Sequence, residues 1–365
     1  MVGIGVLLLG LVPVTLATRW VPEKWVDPAV LRGQILGSAA APYHGTADSH
    51  GGLGLPDLPQ LADTAALLSG PASLRVWYAA PDAWRVAQLQ TAGERDIYRA
   101  GADTYLWDFQ TNLLTRVLGT LPVRMPWAAD LTPPDLARRL LGNSAPGDQF
   151  SALPSRRVAG VLAAGVRLTP ADQHTTIDRV DIWADPRTGL PVRVEVGARA
   201  TARPVLTSRF LDLDQHAPDR AVLTPRRAGS ANFTETSQPD MATAINSIAA
   251  VRLPRSLAGQ PRAGIPGQVG AVAGYGSGLS KFVVIPLPGR AGCQAMRTLR
   301  EANAEPASLS DGSGYRVRSP AVTTLVVRSL TGDRDADDPV FLLAGLVAPD
   351  LLDQAAIQLL GIDRR

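Results

Sequence analysis

The chain has 365 residues, 45% of them hydrophobic and 19% charged, which describes a globular protein long enough for two cores. Its 36 basic and 33 acidic residues leave a net charge of +3, too even for the concentrated basic face of a nucleic-acid binder. The lone cysteine, Cys293, excludes an internal disulfide and any cysteine-clustered metal site.

Residues 2–18 form an uncharged apolar run at the short end of a membrane span, which takes roughly 17–25 residues. Arg19, Trp20, Lys24 and Trp25 follow, the residue types of a membrane–water interface. Residues 1–19 are therefore a cleaved signal peptide or a retained anchor, and both put the rest of the chain outside the cytoplasm. No cysteine follows this run, so a lipoprotein anchor is not expected. A short helix is expected over Pro28–Ala41, a strand near Tyr43–Leu55 and a second helix over Leu58–Leu68. A meander comes next: Ser73–Ala79, Ala83–Gln90, Glu94–Arg99, Thr104–Phe109 and Leu113–Val117. Pro81-Asp82, Ala92-Gly93, Gly101-Ala102-Asp103 and Gln110-Thr111-Asn112 supply its turns. Thr132 as N-cap, then Pro133, Pro134 and Asp135, open a helix ending near Gly142.

A strand around Val158–Leu168 precedes the most informative stretch. Val180–Ala184 and Pro191–Val196 alternate apolar and polar residues, the period of a strand. Between them Asp185-Pro186-Arg187-Thr188-Gly189 is turn chemistry, because Pro presets φ and Gly accepts φ > 0. Residues 223–240, rich in Ser, Thr, Pro and Arg, read as linker, and Asp240–Ala250 as a helix. A second domain begins near Leu253-Pro254. Strands are expected at Gly270–Tyr275, Leu279–Leu287, Gly314–Ser319, Thr323–Ser329 and Val340–Val347, with helices at Gly292–Ala302 and Pro349–Leu360. Runs of hairpin strands with few helices indicate α+β rather than alternating βαβ units.

The string RVAG…VRLTPAD…VDIWADPRTGLPVRVEV, within residues 157–196, resembles the matching segment of the RseB/MucB family. These are extracytoplasmic regulators of envelope-stress sigma factors, in which a LolA-like lipid-binding sheet carries a strand–LWLD-x-x-TGL–strand hairpin. YGSGLSKFVVIPLP resembles a strand of the family's C-terminal domain, and FLLAGLVAPDLLDQAAIQLL its last strand and helix. The resemblance spans most of residues 43–360, in the right order. It implies a curved antiparallel half-barrel sheet covered by helices, plus a smaller C-terminal α+β domain. The expected division is 1–19 signal peptide or anchor, 28–222 LolA-like domain, 223–252 linker and short helix, and 253–362 RseB-C-like domain. One loop departs from the family: at Pro170-Ala171-Asp172, Ala171 stands for an Arg, and Gln173–Thr176 replaces an aromatic stretch. Whatever partner or lipid contact that loop makes in the family is not carried over, nor is the family's lipopolysaccharide ligand.

Aromatic residues cluster in the meander, with Tyr105, Trp107 and Phe109 on one face by the period-2 rule. The resemblance implies an acyl-chain pocket lined by Trp77, Trp84, Tyr98, Tyr105, Trp107 and Phe109. Ordinary core packing is the competing reading, since such residues bury large areas. Other chemistry is thin. GYGSGLSK at 274–281 fails the phosphate-loop spacing. Of His44, His50, His174 and His216, the first two sit on or near the first strand with no carboxylate at ligand spacing and His174 lies in a polar loop, so a metal site is not expected. Asp333–Asp338 lacks the EF-hand pattern, and no hydrolase motif is present. The expectation is a non-enzymatic regulator without cofactor or metal. Its partners would be a lipid or lipopeptide, the extracytoplasmic segment of an anti-sigma factor, and the membrane surface through residues 1–19, with no nucleic acid. A LolA-like lipid or lipoprotein carrier is the alternative.

Overall fold

The computed structural model describes residues 25–54, 62–91, 93–119, 126–225, 229, 231–237, 253–263, 273–287, 289–310, 312–329 and 340–361. The apolar run at 1–19, the helix expected at 240–250 and the acidic stretch at 333–338 lie outside the described residues.

Twelve strands make the first sheet. Its first half is the meander β1 (Tyr43–Gly51), β2 (Pro71–Ala80), β3 (Ala83–Gln90), β4 (Gly93–Ala100), β5 (Asp103–Asp108) and β6 (Leu113–Leu118). Its second half is β7 (Gln149–Val158), β8 (Val161–Thr169), β9 (Ile177–Ala184), β10 (Pro191–Ala198) and β11 (Thr201–Asp214). The halves meet along one antiparallel seam, where β1 pairs with β11 from His44↔Asp214 to Gly51↔Leu206. With β12 (Asn232–Ser237) at one edge, the strand order is β12-β6-β5-β4-β3-β2-β1-β11-β10-β9-β8-β7, giving the curved, open sheet expected, antiparallel at every pairing but that of β12 with β6.

β12 (Asn232–Ser237) lies inside the stretch whose composition reads as linker, yet it pairs parallel with β6, Phe233 opposite Leu114 and Glu235 opposite Arg116. β7 escapes a period reading because it has no clean alternation. Its register shifts between Leu153 and Arg156, around Pro154, and proline is tolerated in sheets at such edges and bulges.

Helices cover one face, here called inner. α1 (Pro28–Gly37) starts where Asp27 Oδ1 accepts from the amides of Ala29 and Val30, with Pro28 in its first turn. α2 (Ala62–Ser69) is next in the chain. α3 (Pro133–Gly142) begins as expected, but Thr132 is not its side-chain cap. Its hydroxyl donates instead to Ala129 O, and the two prolines that follow have no N–H to offer a cap. Leu31 and Ile35 of α1 and Leu136 and Leu141 of α3 pack on Leu74, Val76, Val86, Val166, Ile182 and Val194 of the sheet. Tyr43 stacks on Tyr78 at 5.0 Å and meets Phe210 edge-on at 5.7 Å.

The hairpin of β9 and β10 forms as the sequence predicts. The Gly189 amide donates to Asp185 O at 2.7 Å, and Gly189 takes φ +71°. A Cβ there would also run into the backbone of Gln34 on α1, so glycine serves both the turn and the close helix approach.

An eight-stranded antiparallel sheet follows: β13 (Ser256–Leu257), β14 (Gln260–Ala263), β15 (Ala273–Tyr275), β16 (Phe282–Leu287), β17 (Glu305–Leu309), β18 (Gly312–Arg318), β19 (Thr323–Ser329) and β20 (Val340–Gly345), in the order β13-β14-β15-β16-β20-β19-β18-β17. α6 (Pro349–Leu360) buries Leu351, Leu352, Ala355 and Leu359 against Phe282, Leu325, Phe341 and Leu343. α5 (Gly289–Glu301) packs Leu299 and Met296 among Val326, Val340 and Tyr315, an apolar cluster separate from that of α6.

The variant loop 170–176 joins the two sheets. Thr175 bridges antiparallel to Val347, and its hydroxyl lies 3.0 Å from both Leu279 O and Leu346 O. The Thr176 amide donates to Leu346 O, and the Ala348 amide to His174 O. The glycine-rich segment 274–281 takes part as well. Gly278, at φ +56°, sits against Ala145, and Lys281 Nζ donates to Asn143 Oδ1 at 2.8 Å. Lys281, the one cation of that segment, is thus spent on the junction.

Candidate functional site

Pairing register decides where the six aromatic residues go. Tyr78 lies opposite Trp84, whereas Trp77 lies opposite Arg85, Arg85 opposite Tyr98, and Tyr98 opposite Tyr105. Trp107 lies opposite Asp96 and Leu114. Directly paired residues share a face. Trp84 therefore shares the helix-covered face with Tyr78, and Trp77, Tyr98, Tyr105 and Trp107 share the opposite, outer face. Phe109 stands just past the end of β5 and is 60% exposed.

The outer face is laced with charge. Arg209 grips Asp48 at 3.0 Å, and Arg167 forms a bidentate pair with Asp181 at 2.6 and 2.7 Å. Arg156 reaches Glu195 at 3.0 Å and lies 4.2 Å over the Trp183 ring. Half-exposed pairs of this kind contribute at most about 1 kcal/mol each. They keep the face hydrophilic while Trp183 stays covered.

Between β3, β4, β5 and β6 this face opens into a cleft of about 360 Å³. Arg85, Glu94, Asp96, Tyr98, Trp107 and Leu114 line it, and Ala221, Val222 and Thr224, on and just after the short helix α4 (Arg220–Leu223), close one side. Within it, Arg85 Nη2 donates to Asp96 Oδ2 at 2.7 Å and to Glu94 Oε1 at 3.2 Å. The guanidinium lies 4.7 Å from the Trp77 ring centre and 5.2 Å from that of Tyr98. Tyr98 OH donates to the same Asp96 Oδ2 at 3.0 Å. Asp96 is 1% exposed, and its other oxygen, Oδ1, is buried without a hydrogen-bond partner. Burial lifts the Asp96 pKa above the ordinary carboxylate value; Arg85 opposes this and Glu94 adds to it. Burial and then the Asp96 charge push the Tyr98 phenol up as well.

Two of the six aromatic residues, Tyr98 and Trp107, thus meet in the cleft. Trp77 lies beneath its arginine, Tyr105 pairs with Arg116 beside it, and Trp84 and Phe109 are elsewhere. Arg85, Glu94 and Asp96 escaped sequence reasoning, although their alternation with Val86 and Ile97 marks them as one charged stripe. Of the histidines, His174 lies 3.1 Å from Asp172, and His44 and His216 flank Asp214 at 3.8 and 2.5 Å.

No family model matches the chain, and no curated protein matches it. Solved structures do match. The Pseudomonas aeruginosa MucA/MucB complex gives a TM-score of 0.50 at 16% identity, over 91% of this chain and 98% of that one. MucB in complex with MucA(peri) gives 0.50 at 14% identity, over 91% and 97%. The LolA superfamily protein NE2245 from Nitrosomonas europaea gives 0.24 at 12% identity, over 55% of this chain and 99% of that one. At these identities the likeness to the two MucB structures is one of fold: a curved antiparallel sheet followed by a smaller second domain.

Proposed function

We propose that this protein is a non-enzymatic extracytoplasmic regulator that binds a hydrophobic ligand and holds the extracytoplasmic segment of an anti-sigma factor. The observation that carries the reading is the two-domain MucB-like fold, matched over 91% of the chain by structures of MucB bound to MucA. In this reading residues 1–19 export or anchor the chain, the first sheet takes the ligand, and the second domain contributes the partner surface. The ligand acts only through differential affinity for the free and partner-bound states. Calorimetry of the full chain against extracytoplasmic segments of single-span anti-sigma proteins encoded beside its gene tests the proposal. Saturable binding that a lipid or lipopeptide weakens is the expected result. If no such segment binds while the protein moves lipid or lipoprotein between membranes, the carrier reading replaces it.

A further inference from the structure

The cleft on the outer face has a chemistry of its own. One guanidinium faces two carboxylates, so Arg85, Glu94 and Asp96 together carry one excess negative charge. Arg85 does not exhaust Asp96: its bond and that of Tyr98 both fall on Oδ2. The second oxygen, Oδ1, is enclosed with no donor, on a side chain that lines the cleft and is 1% exposed. A buried carboxylate oxygen left unpartnered costs about 1–3 kcal/mol or more, and a donor arriving in the cleft recovers that cost. The Arg85 Nε is also without a hydrogen-bond partner, but the guanidinium lies over the Trp77 and Tyr98 rings, whose π faces meet its charge. What remains unmatched in the cleft is acceptor and negative charge. Beside it stand apolar surfaces, Trp107 on the sheet and Val222 on α4.

We propose that this cleft binds the protonated primary amine of an amphipathic ligand, its ammonium between Glu94 and Asp96 and its apolar chain along Trp107 and Val222. A primary ammonium brings three donors; a quaternary one brings charge but none for Oδ1. Burial raises the Asp96 pKa, and a cation beside the carboxylate would oppose that rise. The inference deepens the ligand-binding half of the proposed function and rests on it.

The test is calorimetry of the purified full chain with n-octylamine, with octyltrimethylammonium, octanol and octanoate as comparison probes. Octylamine should bind saturably, and octyltrimethylammonium and octanol about tenfold or more weakly. Glu94→Gln, which leaves the Arg85–Asp96 pair in place, should weaken octylamine about tenfold. Val222→Trp, which fills the cleft from the helix side without touching the charges, should abolish binding in a chain whose circular dichroism is unchanged. Retention on phosphatidylethanolamine vesicles but not on phosphatidylcholine vesicles would identify a lipid headgroup as the source of the amine. Octylamine binding without retention on either would identify a free amine. Octanol or octanoate binding as tightly as octylamine, and lost in Val222→Trp, would overturn the amine while leaving a hydrophobic ligand in place. If no probe binds, or if binding ignores both substitutions, the cleft is not a site.

Discussion

Along β2, Leu74, Val76 and Tyr78 point to the inner face of the large sheet, while Ser73, Arg75 and Trp77 point to the outer one. The inner row is fully buried and meets α1, α3 and the Tyr43–Phe210 pair. The outer row runs into a lattice of arginine–carboxylate pairs reaching from Arg167–Asp181 to Arg85–Asp96. Volume holds the first face together and charge dresses the second. A close-packed face loses stability with any lost atom, whereas a charged face tolerates change and can hold an incompletely satisfied cleft.

The largest expected effect tests the packed side. Phe210→Ala, at a ring 2% exposed, should cost about 3–5 kcal/mol, read from a urea midpoint at constant slope. A loss below about 1 kcal/mol would mean that the inner face is looser than its burial indicates. Next comes the Arg85–Asp96 pair of the outer face. Arg85→Leu strands the Asp96 carboxylate and should cost about 2–3 kcal/mol, most of it restored when Asp96→Leu is added. If the double variant is no better than the single one, the pair is not the unit of stability there. At the domain junction, Thr175→Val removes a buried hydroxyl shared by two carbonyls. It should cost about 1–2 kcal/mol and speed hydrogen exchange at the Thr176 and Ala348 amides selectively. The smallest effect belongs to an ordinary ladder pair: Arg209→Met should change stability by less than about 1 kcal/mol.

Two aspartates sharpen the comparison through pH. Asp185 and Asp96 are each 1% exposed, yet they shift in opposite directions. Burial raises both. At Asp185, bonds from the Arg187 guanidinium and amide and from Gln215 outweigh burial and leave its pKa below the ordinary value. That carboxylate contributes stability above its unfolded pKa of about 3.9, lost as pH falls through the lower folded value. Asp96 has the reverse sign, because its folded pKa lies above the unfolded one. Its contribution is present below about pH 3.9 and is lost as pH rises through the folded value. Relative to wild type, Asp185→Asn should therefore be less destabilising at pH 3 than at pH 7, and Asp96→Asn more so. Denaturation midpoints at the two pH values read this directly, and parallel behaviour of the two variants would contradict it.

Local chemistry made much of the fold legible. The Asp185–Gly189 turn, β19 at Thr323–Ser329 and α6 at Pro349–Leu360 lie where alternation, proline and glycine put them. What local chemistry does not encode is partnership. β12 is exposed polar chain whose strand geometry comes from β6, and β7 is an edge interrupted by Pro154. Alternation places Tyr105 and Trp107 together within β5, but whether they join Trp84 or Trp77 depends on the register across β3 and β4. In sequence the loop 170–176 only departs from the family pattern, with Ala171 for an Arg and Gln173–Thr176 for an aromatic stretch. Its threonines are donors aimed at backbone carbonyls of the second domain.

The seam between β1 and β11 also governs how the chain can be assembled. Each half of the large sheet, β1 to β6 and β7 to β11, is stitched by neighbouring strands. Among the described strand pairings of this sheet, the seam joins the positions most distant in sequence, His44 and Asp214. Closing it carries the loop entropy of the whole domain, so it belongs to the late, slow part of folding. The same layout makes the chain divisible. A break within residues 120–125, between β6 and α3, leaves two meanders whose edges β1 and β11 match, with β6 and β12 as a second matching pair. Co-expressed as separate polypeptides, they have the register they need to reassemble, and the amide ladder from His44 to Gly51 is where reconstitution would be seen.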